Sequence, residues 1–176
     1  MDGAKIVVYG NAQDGVGNTM NDGKVIIHGY AGDITGHSMR GGEIYIRENA
    51  GYRVGIHMKE YKNKIPVIVV GGNVVDFCGE YMAGGILIIL NLQNKSPVGY
   101  LMGTGMHGGT IYVRGKVEKY QLGKEVGIVE KTERDYRILK KYIKNYCKYF
   151  NFEKEIDLDE FIKFIPVTHR PYGRLY

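Results

Sequence analysis

GDITGHSMRGGEIYIRENAG, residues 32–51, joins a Gly-x-x-Met signature (Gly36 to Met39), a glycine pair (Gly41 and Gly42) and a β-branched run that starts at Ile44. Glycines at 32, 36, 41, 42 and 51 leave no more than eight residues between them, too few for a helix and unable to bury a face unaided, so the stretch is stable only as one unit of a repeat. The rest of the chain supplies the other units. Similar runs begin at Ile6, Val25, Ile44, Val67, Leu87 and Ile111, at steps of 19, 19, 23, 20 and 24 residues. Gly-x-x-Met recurs at Gly17 to Met20, Gly55 to Met58, Gly79 to Met82 and Gly103 to Met106, which accounts for five of the seven methionines. Glycine pairs follow at Gly84 and Gly85 and at Gly108 and Gly109, with Asp22 and Gly23 in an earlier copy.

Stacked turns set equivalent residues above one another at the strand spacing of about 4.8 Å, and the stack completes the core that each turn lacks. Glycine suits the corners, where a Cβ meets the next turn, and unbranched methionine suits an interior column, each burial being worth about 1.5–3 kcal/mol. A leucine-rich repeat lacks support for want of its leucine and asparagine ladder, and a doubly wound fold for want of helical stretches between strands. The predicted fold is all-β: a single-stranded right-handed parallel β-helix of about six coils over residues 1–130, with an α-helical tail over 131–176.

Alternation along the runs assigns Tyr9, His28, Tyr45, Arg47, Tyr112 and Arg114 to an outer face. In the fourth and fifth copies the same reading puts Ile68, Val70, Ile88 and Leu90 outside, an apolar strip that the chain's own tail or another subunit must cover. The polar insertion Lys59 to Pro66 is a second candidate contact surface. From Thr132 the period becomes helical, with Tyr136, Leu139, Ile143, Tyr146 and Phe150 on one face and Thr132 with Asp135 as a capping box. Asp157 with Glu160 repeats the box before Phe161 to Ile165, which predicts a short second helix ended by Pro166, and PVTHRPYGRLY reads as an extended strap.

The net charge is +5, and the excess lies in the tail, where residues 131–176 hold 11 Lys/Arg against 7 Asp/Glu. On an amphipathic helix this reads as a solvated face, not a nucleic-acid site. No apolar run reaches eighteen residues and no signal segment opens the chain, so the expected location is cytoplasmic, without membrane insertion. Cys78 and Cys147 are too few for a disulfide framework or a thiolate-ligated cluster.

Gly103, Gly105 and Gly108 spell G-x-G-x-x-G, but they lead into a strand instead of opening a helix, so they read as corner glycines. GHSMRG resembles a nucleophile elbow with Arg40 in place of the second glycine, which leaves a small esterase built on Ser38 and His37 poorly supported. His28, His57, His107 and His169 form no metal-ligand spacing, and Asp14, Asp33, Asp76 and Glu80 no acid/base pair. No residue is therefore assigned a catalytic, cofactor-binding or metal-binding role.

The coils GDITGHSMRGGEIYIRENAG, VVGGNVVDFCGEYMAGGILIIL and GTGMHGGTIYVRG, followed by a helix and KFIPV, resemble the C-terminal GXGXG domain of the glutamate synthase large subunit over nearly the whole chain. That resemblance implies a right-handed β-helix bridging glutaminase and FMN-containing synthase parts, itself without catalytic residue or cofactor. A stand-alone chain then implies a split enzyme, with a glutaminase (amidotransferase) and an FMN/iron-sulfur synthase as partners and a homo-oligomer as a further option. The chain is also similar to the C subunit of formylmethanofuran dehydrogenase, ranked second because the helix and KFIPV favour the glutamate synthase side.

Overall fold

A computed structural model describes residues 1–167. The strands are β1 (Lys5–Val8), β2 (Lys24–Ile27), β3 (Glu43–Ile46), β4 (Val67–Val70), β5 (Ala83–Ile89), β6 (Gly108–Arg114), β7 (Val126–Val129) and β8 (Phe161–Pro166), with one α-helix, α1 (Glu133–Phe150), among the described residues. They form an eight-stranded sheet in the order β1-β2-β3-β4-β5-β6-β8-β7.

From β1 to β6 neighbours pair in parallel, and Ile6, Val25, Ile44, Ile68, Leu87 and Ile111 lie in one register column, at steps of 19, 19, 24, 19 and 24 residues. Bridges from Ala12 to Ala31, Ala50 and Val74 form a second column away from the sheet. Between the columns lies the interior. Met20, Met39, Met58, Met82 and Met106 are all essentially inaccessible there, packed with Ile44, Ile68, Leu87 and Ile111. The Gly-x-x-Met glycines make this possible: Gly79 has φ +72° and a Cβ on it would stand 2.7 Å from Ile111 Cδ1.

The expected all-β, purely parallel β-helix is corrected here. Over the described residues the chain is a mixed α/β fold, with one sheet of mixed parallel and antiparallel strands and a single α-helix. The next corner still stacks in parallel, Leu122 on Met102, but among the described residues no parallel strand follows β6; β8 returns beside it antiparallel, and β7 pairs antiparallel on the far side of β8. Repeat periodicity specifies the neighbour of each repeating turn and says nothing about what closes the last one. The predicted short helix at Phe161 to Ile165 is likewise a strand, because a short apolar run has no period that separates helix from strand. Within it Phe161 and Phe164 are buried, on the two different faces of the sheet.

α1 begins at the expected cap. Thr132 caps it with Asp135 reciprocating, and Asn151, at φ +51°, ends it in the left-handed conformation. Its apolar face, Leu139, Tyr142, Ile143, Tyr146 and Phe150, packs on the outer face of the sheet. The apolar strip is thus covered by the chain's own helix, and its membership also needs correction: Ile88 and Leu90 face α1, whereas Ile68 and Val70 point inward and Val67 and Val69 take the outer positions. VIVV is buried on both faces, so no alternation fixes its register, and a slip of one residue exchanges the faces.

Candidate functional site

Each corner opposite the sheet is a short segment in which left-handed residues alternate with others: Gly15, Gly17 and Thr19 in the first turn, then Ile34, Gly36 and Ser38, Arg53, Gly55 and His57, Phe77, Gly79 and Tyr81, and Leu101, Gly103 and Gly105. Positive φ is rare for a β-branched or bulky residue and costs on the order of 1–3 kcal/mol, so it persists only where surroundings over-determine it. Here the ladder between turns does so. Arg53 N–H donates to Asp76 O at 3.0 Å, Phe77 N–H to Tyr100 O at 2.9 Å and Tyr81 N–H to Thr104 O at 2.8 Å.

Stacking brings some sequence candidates together and separates others. The His37 and His57 rings lie edge to face at 6.0 Å, and His57 stacks on Tyr81 at 5.3 Å. His28 is wedged between Tyr9 and Phe150, and His107 contacts its own turn at Gly105 O. Among the described residues no group of three or more His, Cys, Asp or Glu side chains is arranged to hold a metal, and no hydrogen bond joins Ser38 to a histidine ring. His169 lies outside the described residues, as does most of the expected strap.

The acids named from sequence are mainly structural. Asp14, Asp33 and Asp76 each accept a backbone N–H from the next turn, those of Asp33, Tyr52 and Tyr100 respectively, each at 2.8 Å. Glu80 is buried and accepts from Arg53 Nε at 2.9 Å, while the Arg53 guanidinium lies over the Phe77 ring at 5.2 Å. Gly103 and Gly105 have φ +72° and +69°, and Gly108 opens β6, so the G-x-G-x-x-G run is corner geometry. Cys78 is buried, and burial pushes its thiol up to about 12, which makes it a poor nucleophile.

One polar centre escaped the sequence reading beyond its role as a cap. Asp135 is buried, and it accepts hydrogen bonds from Tyr112 Oη at 2.5 Å, from Thr132 N and Oγ1 at 2.7 Å each, and from Lys163 Nζ at 2.9 Å. Burial raises its pKa, but the bonds from Tyr112, Thr132 and Lys163 outweigh burial and hold the carboxyl well below the usual carboxylate range. Burial, and then Asp135 itself, pushes the Tyr112 hydroxyl up. All four residues belong to β6, β8 or the start of α1, so this centre locks the returning tail onto the sheet. Nothing in the spacing of four residues so far apart signals it.

The surface feature left over is an aromatic ridge along the corners. Tyr52, Tyr81, Tyr100, Leu101 and Tyr120 are exposed there, Tyr120 by 66% and Tyr100 by 57%, and the last two rings lie 5.8 Å apart. Exposed tyrosine beside arginine is the composition of protein–protein interface centres. No sequence signal marked this ridge, because its members come together only when the turns stack.

A family model described as the GXGXG motif matches residues 1–168. The chain belongs to the GXGXG-motif family. It is also 54% identical over 185 residues to the uncharacterized protein MJ1350 of Methanocaldococcus jannaschii, an alignment that covers 100% of this chain and 71% of that relative. For this GXGXG-motif chain, no helix among the described residues is long and apolar enough to cross a membrane.

Proposed function

We propose that this chain is a non-catalytic structural component of a split, glutamate-synthase-like enzyme in the cytoplasm, holding a glutaminase and an FMN/iron-sulfur synthase so that ammonia released from glutamine passes to 2-oxoglutarate. The family match over residues 1–168 supports the relationship, and the observation that carries a holding role is the exposed aromatic ridge. The apolar strip no longer argues for a partner, since α1 occupies it; the contact surface is the opposite corner.

The test mixes the purified chain with the glutaminase and FMN-synthase polypeptides encoded in the same genome, followed by size-exclusion chromatography and an assay of glutamine-dependent glutamate formation. The expected result is co-elution with both and tighter coupling of glutamine hydrolysis to glutamate formation. Replacing Tyr100 and Tyr120 together by serine should weaken assembly about tenfold or more without lowering the melting temperature. Elution of the chain alone, or assembly only with formylmethanofuran dehydrogenase subunits, overturns the reading.

A further inference from the structure

We infer that the insertion loop and the corner beside it form a binding site for a small phosphorylated molecule. This site lies away from the aromatic ridge and does not depend on the proposed function. Asn21, Arg40 and Lys59 each follow a core methionine and occupy the same position in three successive turns, tied by Arg40 N–H to Met20 O at 2.8 Å and Lys59 N–H to Met39 O at 3.0 Å. Arg40 and Lys59 are therefore one strand spacing apart, like charges directly above one another, an arrangement that destabilises the free protein. The loop adds two more cations: Tyr61 and Lys64 pair through both backbone hydrogen bonds, which presents Lys62 at the tip.

Together with Asp2 these residues line a cavity of about 460 Å³, within the size range of small-molecule sites. Its nearby acids are already committed, since Lys64 Nζ lies 3.1 Å from both Asp2 and Asp22. Arg40, Lys59 and Lys62 have no acidic partner among the described residues. Moreover, Arg40 Nε is buried without a hydrogen-bond partner, while the same guanidinium reaches only Thr19 O, at 3.4 Å. A buried donor without a partner calls for an acceptor. Three uncommitted cations, one of them a planar fork, match the charge and geometry of a phosphate group better than that of a single carboxylate. The cavity has room for a small organic body as well.

The experiment is calorimetric titration of the full chain with inorganic pyrophosphate, with citrate as the polycarboxylate arm. The expected result is saturable one-to-one binding that weakens as salt rises and is tighter for pyrophosphate than for citrate. Arg40→Gln and Lys59→Gln should each weaken it about tenfold, and Lys140→Gln on the exposed side of α1 should leave it unchanged. Lys62→Gln, at an exposed loop tip, serves as a variant that does not disturb folding and should weaken binding too. No saturable heat at millimolar pyrophosphate, equal loss in the Lys140 variant, or full affinity in the Lys62 variant overturns the site.

Discussion

The two faces of the sheet are covered by different chemistry. The inner face is almost wholly aliphatic, with six methionines and columns of isoleucine, valine and leucine from successive turns; Phe164 is the one aromatic ring among the buried residues of that cluster and Cys78 the one ionisable group. The outer face adds aromatic rings to its aliphatic residues, with Tyr45 and Tyr112 against Tyr142, Tyr146 and Phe150, and it contains polar contacts: Tyr146 Oη donates to Arg47 O at 2.8 Å, and the Asp135 centre sits at one end. A repeat can build the inner layer because every turn contributes the same residue to the same place. The outer layer joins unlike elements, so its fit has to be specified by individual hydrogen bonds. A core made by repetition tolerates substitution within its chemical type, whereas one made by docking depends on a few polar atoms.

The sharpest way to break this comparison is Asp135→Ala. It leaves the partly buried Lys163 and the buried Tyr112 hydroxyl without their partner, and removal of one member of a fully buried pair costs about 3–5 kcal/mol, which sets the upper end here. Hydrogen exchange should show protection lost first in α1 and β8, with β2 to β5 holding; equal loss everywhere would mean that the two layers form one cooperative unit. Met58→Ala should cost about 2–5 kcal/mol in urea unfolding through the cavity it leaves, whereas Met58→Leu should cost less than about 1.5 kcal/mol.

Acid sharpens the same contrast. The folded chain holds the Asp135 carboxyl below its ordinary value of 3.8, so the unfolded chain takes up the proton first as pH falls. The stability from this group is complete above the ordinary value and is lost as pH falls from there toward the depressed one. Asp135→Asn should flatten that acid limb, while Met58→Ala should lower the whole curve without changing its slope, as read from melting temperatures across the acid range. The smallest effect is Thr132→Ala, about 1 kcal/mol, since the cap also has Asp135 bonding the Thr132 backbone N–H.

What was legible in the sequence follows the same division. Repetition made the strands, the methionine column and the corner glycines readable, since each signal occurs five or six times. α1 was readable because Thr132, Asp135 and the apolar positions agree on one helix. The closure by β7 and β8 was not, because FIKFIP and VGIV each occur once and carry no period long enough to tell strand from helix. The slip at Val67 came from a strand whose two faces are equally apolar. The aromatic ridge and the basic cavity depend on which residues stacking brings side by side, which only the register reveals.

The steps of 24 residues show how this architecture grows. Relative to the turns of 19 residues, five extra residues enter between Ile44 and Ile68 and five more between Leu87 and Ile111, yet Ile44, Ile68, Leu87 and Ile111 stay in one column, with a single register irregularity, between Ala83 and Ile86, where β5 meets β6. The chain behaves as a ladder whose rungs keep their pitch while the side rails bulge. Foreign peptides grafted at the Asn63 or Asn94 tips should therefore be displayed at fixed heights along the molecule, with the barrel-like interior beneath them undisturbed.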